Sequence, residues 1–123
     1  MTNDELKYRT KQFSLMVLSL VEKLPNSISS RVVVNQLAKS ATSVGANYRA
    51  VCRARSDKEF VAKLNIVLEE ADETQYWLEI IEEMKWINKS ELEFLLKESG
   101  ELVAIFVSTL KTVNNRLKSK KNI

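Results

Sequence analysis

The sequence predicts an all-α fold, an antiparallel up-down-up-down four-helix bundle, from three observations. The 123 residues contain one Pro and two Gly, so long stretches carry no helix breaker. Phe60, Leu64, Val67, Ala71, Thr74, Leu78 and Ile81 recur at spacings of four and three, the seam of a helix packed lengthwise on its partners. Three more apolar stripes of helical period accompany that seam, separated by short polar breaks, and helices joined by short loops must be antiparallel neighbours.

The first helix is expected over about residues 3–24, with Phe13, Val17, Leu20 and Leu24 on one stripe and Pro25-Asn26 ending it. The second, about 28–55, turns Val33, Leu37, Ala41, Val44, Tyr48 and Val51 inward. Ser56-Asp57-Lys58-Glu59 has the form of a capping box: the Ser56 hydroxyl and the Glu59 carboxylate can each satisfy an orphan N–H at the start of the third helix, about 57–86. Asn88 and Ser90 are both acceptable N-caps for a fourth helix over about 90–118. Its inward face is Leu92, Leu95, Leu96, Ser99, Leu102, Val103, Phe106, Leu110, Val113 and Leu117. The tail 118–123, KSKKNI, is expected to fray. Residues 1–123 thus suit one bundle domain.

The chain has no His, so it lacks the commonest general base and the commonest nitrogen ligand for metals. The lone Cys52 excludes an intrachain disulfide and a cysteine-built zinc site. Phe13 to Val21 imitates the apolar core of a secretory signal, but Glu22 and Lys23 follow and no small-x-small cleavage site appears. No apolar run approaches the roughly 20 residues of a membrane span. A cytoplasmic protein without membrane attachment, cofactor or metal is expected.

Helix three carries more apolar surface than one core needs. Ile66, Trp77, Ile80 and Met84 lie beside the main seam, with Glu73 in the acidic surround. Two readings are open. Trp77 and Met84 either cap the ends of the chain's own core, or the second arc is a subunit interface, where an aromatic and a Met are common anchors.

Charge is segregated by segment. Residues 26–55 hold five basic and no acidic side chains, while residues 56–87 hold three basic and nine acidic ones. Lys39, Arg49 and Arg53 fall within about 80° of the helical wheel, opposite the Leu37–Val44–Val51 seam, with Arg31 and Arg55 near the two ends. This face either contacts phosphates or pairs with the acidic wall of Glu69, Glu70, Asp72, Glu73, Glu79, Glu82 and Glu83. Arg116, Lys118, Lys120 and Lys121 have fewer acidic neighbours and are expected to be freer to touch a polyanion.

Ala38, Ala41, Gly45 and Ala46 permit another backbone to approach helix two, and Gly45 within a helix costs about 1 kcal/mol against Ala unless packing compensates. Asn47 falls on the seam, where a buried amide would fix register. The carboxylates of Glu69, Asp72 and Glu73 suggest a di-metal bundle, but the His of the Glu-x-x-His pairs is missing and all three lie off the seam. Cys52 sits among Arg49, Arg53 and Arg55 without a base to activate it, and reads as a packing residue. No catalytic residue is assigned, and no enzymatic activity is expected.

Ser43-Val44-Gly45-Ala46-Asn47-Tyr48-Arg49, Ser56-Asp57-Lys58-Glu59-Phe60, Lys63-Leu64 and Glu69 to Leu78, EEADETQYWL, resemble the bacterial four-helix-bundle family encoded in intervening sequences of 23S rRNA genes. That family includes the accessory variability determinant of diversity-generating retroelements. The resemblance spans essentially the whole chain. It implies a ring-shaped homopentamer without enzymatic activity and, for the retroelement branch, binding of a reverse transcriptase and of nucleic acid through a positive surface. The chain departs from the pattern at Ala50-Val51, where the family commonly has Glu-Ala, which makes helix two more basic.

The expected function is a non-catalytic, oligomeric binding module for RNA or another nucleic acid, or for a ribonucleoprotein. Lys39, Arg49, Arg53 and Arg55 are the favoured contacts. Arginines on a wall without exposed aromatics suit backbone charge better than base stacking. The alternative is a structural adaptor that presents the acidic wall to a protein partner.

Overall fold

Thr2, Ser27 and Ser56 stand in extended backbone, and each side chain accepts a hydrogen bond from the amide three residues on, so each opens a helix. The computed structural model describes residues 1–121, the side chains of Lys89 and Lys121 excepted. It contains α1 (Asn3–Val21), α2 (Ile28–Val51), α3 (Asp57–Met84) and α4 (Lys89–Lys121), with no strand among the described residues. Successive helices pack on one another, and α4 returns along a shorter seam to α1.

The helix ends differ from expectation for local reasons. α1 stops at Val21 rather than near Leu24, because Pro25 disfavours helical backbone at the residue before it. α2 stops at Val51 rather than near Arg55. Arg53 and Ala54 donate to the carbonyls of Ala50 and Val51, a tightened last turn that delivers the chain to the Ser56 cap. Lys85 ends α3 by taking the left-handed conformation at φ 57°, two residues short of the expected limit at Trp86. α4 starts one residue early and remains helical from Lys118 to Lys121, so the tail is ordered there; Asn122 and Ile123 lie outside the described residues. Only half of the Ser56 capping box forms: Glu59 N donates to Ser56 Oγ at 3.1 Å, while the Glu59 carboxylate turns to Arg55 at 3.7 Å. The complete box is at Thr2 and Glu5.

The four predicted stripes converge on one core. Phe13, Val17 and Leu20 of α1 meet Leu37, Ala41 and Val44 of α2, Leu64, Val67, Leu78 and Ile81 of α3, and Leu102 and Phe106 of α4, all buried. Each such Leu, Val, Ile or Phe contributes about 1.5–3 kcal/mol by leaving water. Tyr48 crosses this core with its ring 6.0 Å from that of Phe106, and burial pushes its phenol well above the ordinary tyrosine range. Polar pins accompany the apolar layers. Thr74 Oγ1 lies 2.9 Å from Ser40 Oγ between α3 and α2, and both residues are buried.

α1 and α2 approach closely at Gly45, where a Cβ would stand 3.3 Å from the carbonyl oxygen of Thr10. Ser14 Oγ bridges the same seam by donating to Ala41 O at 3.1 Å. Asn47 does not serve as a buried register pin. It is half-buried, and its Nδ2 donates to Ser43 O of its own helix at 2.8 Å. None of the four helices is long and apolar enough to cross a membrane among the described residues.

Candidate nucleic-acid interface

A helix with a basic stripe presents a one-sided row of cations, and a second cationic helix beside it makes a trough. On α2, Thr42, Gly45, Ala46 and Arg49 recur at spacings of three and four, and Arg53 extends the row into the following turn. On α1, Lys7, Tyr8, Lys11 and Ser14 face them. The two rows enclose an open groove of about 490 Å³. Gly45 has no side chain and Ala46 and Ser14 have short ones, so these three supply its floor and the cations its walls.

The favoured cations of α2 and its following turn are available. Lys39, Arg49 and Arg53 are exposed, and none of them forms an ion pair within 4 Å among the described residues. Lys39 is nonetheless close enough to Glu70 to favour that residue's ionised form. Arg31 and Arg55 are partly engaged: Arg31 Nη1 donates to Asn26 Oδ1 at 3.0 Å, and Arg55 lies 3.7 Å from Glu59. Lys39, Arg31 and Arg55 do not line the groove.

The α4 tail is not as free as its charge implies. Arg116 donates through Nε and Nη2 to the two carboxylate oxygens of Asp57, both at 2.9 Å, and Lys120 Nζ reaches Asp57 Oδ2 at 3.4 Å. Asp57 sits in the first turn of α3, where the helix dipole leaves positive charge, and this carboxylate draws the tail's cations onto it. Lys118 remains exposed, and the side chain of Lys121 lies outside the described residues. The hydrogen bond from Arg116 holds the Asp57 carboxyl below the usual carboxylate range. Because the folded state lowers this pKa, its stabilisation is present above the unfolded value, about 3.9, and is lost as pH falls through the lower folded value. Asp57→Asn is therefore expected to flatten the acid limb of thermal stability below about pH 4, measured as Tm against pH beside the wild type.

Sequence reasoning misses the α1 half of the groove and its aromatic. Tyr8 is 68% exposed, so the basic wall does carry an exposed ring, contrary to expectation. The signal is present as Lys7-Tyr8 and Lys11-Ser14 on one helical stripe, but the nearly neutral charge of the first segment masks it.

The opposite charge lies on α3. Glu69, Asp72 and Glu73 are exposed and off the seam, and no group of three or more His, Cys, Asp or Glu is placed to hold a metal ion among the described residues. Burial and the neighbouring Glu73 push the Glu70 carboxyl upward, against a smaller opposing effect of Lys39. Beside this wall Ile66 and Met84 are 47% and 49% exposed, while Trp77 and Ile80 are half-buried. Trp77 Nε1 donates to Glu73 Oε2 at 3.4 Å, and Tyr76 stands edge-on to the indole at 5.0 Å. The five residues expected at an interface thus share one partly apolar, acid-flanked stripe of α3.

Residues 4–108 match the family model described as 23S rRNA-intervening sequence protein. A protein of unknown function from the S23 ribosomal protein family of Bacteroides thetaiotaomicron VPI-5482 has a similar crystal structure. It is 33% identical over 90% of this chain and 99% of that one, with a TM-score of 0.80. No curated protein matches. A family model that covers most of the chain agrees with a similar solved structure matched almost end to end, and the chain belongs to the 23S rRNA-intervening sequence protein family.

Proposed function

We propose that this protein is a non-catalytic, homo-oligomeric binding module that holds RNA by its backbone through the basic face of α2. The observation that carries the reading is the exposure of Lys39, Arg49 and Arg53 without an ion-pair partner among the described residues, on a helix and following turn that hold no acidic residue. Helix-wall arginines suit phosphate oxygens through bidentate hydrogen bonds and counterion release. The residue pairs Asn3–Tyr48, Thr10–Gly45 and Ser14–Ala41 support the antiparallel order of the first two helices, and short loops extend it to an up-down-up-down bundle. The apolar stripe of Ile66, Trp77, Ile80 and Met84, with Glu73 beside it, is the surface a sister copy covers in a ring, pentameric in the family resemblance. In the retroelement branch of that resemblance, a reverse transcriptase would be the protein partner of a cytoplasmic complex.

The test is RNA affinity as a function of salt. The wild type is expected to weaken steeply as salt rises. Arg49→Glu with Arg53→Glu is expected to weaken binding at least about 100-fold and to flatten the log–log salt slope by about 1.4, at about 0.7 for each single-strand phosphate no longer neutralised. A flat salt response in the wild type overturns the reading.

A second reading is favoured by the acidic wall of α3, whose Glu69, Glu70, Asp72, Glu73, Glu79, Glu82 and Glu83 form no ion pair within 4 Å among the described residues. In that case the protein is an adaptor that offers the wall to a basic protein partner, and the basic face is consumed by subunit contacts. The same arginine reversals would then split the oligomer, visible by light scattering, with no RNA affinity to lose.

A further inference from the structure

We infer that the α1–α2 groove takes a single-stranded segment of RNA, with one unstacked base on the Tyr8 ring and the adjoining phosphate held among Lys11, Arg49 and Arg53. This rests on the basic face being an RNA site, and adds what charge alone cannot give: a preference for strand over duplex.

Three observations support it. Tyr8 is 68% exposed and lines a groove shared with the cationic side chains of Lys7, Lys11, Arg49 and Arg53, so it serves no core and leaves an aromatic ring beside groups suited to phosphate. Stacking of a base on such a ring is sequence-tolerant, because every base has a π-face. The groove's volume of about 490 Å³ lies in the range that encloses a ligand of nucleotide size. Its floor at Gly45 is fixed by the close approach of α2 to the backbone of Thr10, so a sugar–phosphate segment can lie near two helices that need not move apart.

The geometry also divides the cations by role. Lys7 lies 3.7 Å from Asp4, one turn back on α1, so part of its charge is spent there. Lys11, Arg49 and Arg53 have no such carboxylate within 4 Å among the described residues, and all three line the groove. A duplex keeps its bases stacked on one another and presents only phosphates to this trough, so it gains the cations and leaves Tyr8 uncovered. A single strand gains both.

The test measures a labelled oligoadenylate strand, and the same strand annealed to oligouridylate, binding to the full chain by fluorescence anisotropy at one salt concentration. The wild type is expected to bind the strand about 10-fold more tightly than the duplex. Tyr8→Ala is expected to weaken strand binding about 10-fold and leave duplex binding unchanged, while Tyr8→Phe stays within about 2-fold of the wild type, since the ring and not the hydroxyl does the stacking. Tyr8 is exposed, so neither change threatens the core; circular dichroism checks that the helices persist. Unchanged strand affinity in Tyr8→Ala, or an equal loss for strand and duplex, overturns the inference. If Arg49→Glu with Arg53→Glu still weakens binding at least about 100-fold in that case, the broader RNA reading survives. Failure of the wild type to bind either RNA overturns both.

Discussion

Arg9→Met is expected to lower stability by about 3 kcal/mol, the cost of leaving a buried carboxylate without its cation. The Arg9 guanidinium donates through Nε to Glu98 Oε2 at 2.7 Å and through Nη2 to Glu98 Oε1 at 2.6 Å, a fork-to-fork pair between α1 and α4. Glu98 has a side chain only 11% exposed, and that of Arg9 is 24% exposed, so neither is well served by water once separated. The hydrogen bond from Arg9 to Glu98 holds the guanidinium above its ordinary pKa, ahead of the opposing cost of burial. Glu98→Ala should cost less than Arg9→Met, because Glu101 lies 3.5 Å from Arg9 Nη2 and can take over part of the pairing. Arg9→Met with Glu98→Leu should recover to within about 1 kcal/mol of the wild type, since the penalty belongs to the orphaned charge and not to the missing attraction. Thermal unfolding of all four proteins checks this. A drop of about 3 kcal/mol corresponds to about 10 °C in a domain of this size, and an unchanged Tm for Arg9→Met would refute the account.

That pair also shows where the sequence stops being legible. The seam Phe60 to Ile81 and the stripes of the other helices can be read because an apolar period of 3.6 is a local property, and Leu64, Val67, Ala71, Thr74, Leu78 and Ile81 are buried as their spacing requires. Arg9 and Glu98 are 89 positions apart, and their meeting depends on the register of α1 against α4, which no local pattern encodes. The same limit hides the groove. Lys7, Tyr8 and Lys11 belong to a first segment of nearly balanced charge, and become part of a cationic trough only when α2 is laid alongside. Arg116 is misread for the converse reason. Its tail has few acidic neighbours in sequence, but Asp57 at the start of α3 meets it across the fold. Helix ends are legible at Ser27 and Ser56, whose side chains cap by themselves. They are less so at Val21, Val51 and Met84, where the chain leaves the helix by a tightened turn or by a left-handed lysine without the Gly that usually marks such a stop.

Gly45→Val is expected to cost about 3 kcal/mol and to weaken RNA binding in the molecules that remain folded. The Cβ of any residue at this position would stand 3.3 Å from Thr10 O, 3.4 Å from Thr10 C and 3.5 Å from Thr10 Oγ1. The obstacle is backbone rather than a flexible side-chain end, so α1 must move as a body or α2 must bend away. Ala asks for a few tenths of an ångström and gains about 1 kcal/mol of helix propensity over Gly, so Gly45→Ala should stay within about 1 kcal/mol of the wild type. Val gains less propensity, because its branch stiffens χ1 in a helix, and adds two methyl groups to a gap already tight for the first carbon. Separation of the helices there would also stretch the bond from Ser14 Oγ to Ala41 O and carry Tyr8 and Lys11 away from Arg49, which links a packing change to the groove's affinity. Urea unfolding and anisotropy with oligoadenylate, carried out on Gly45→Ala and Gly45→Val together, separate the two effects. Stability must fall with side-chain size, and affinity must fall only where the floor is pried open. Wild-type stability in Gly45→Val would mean that α1 and α2 do not meet at Thr10, and the groove as described would lose its floor.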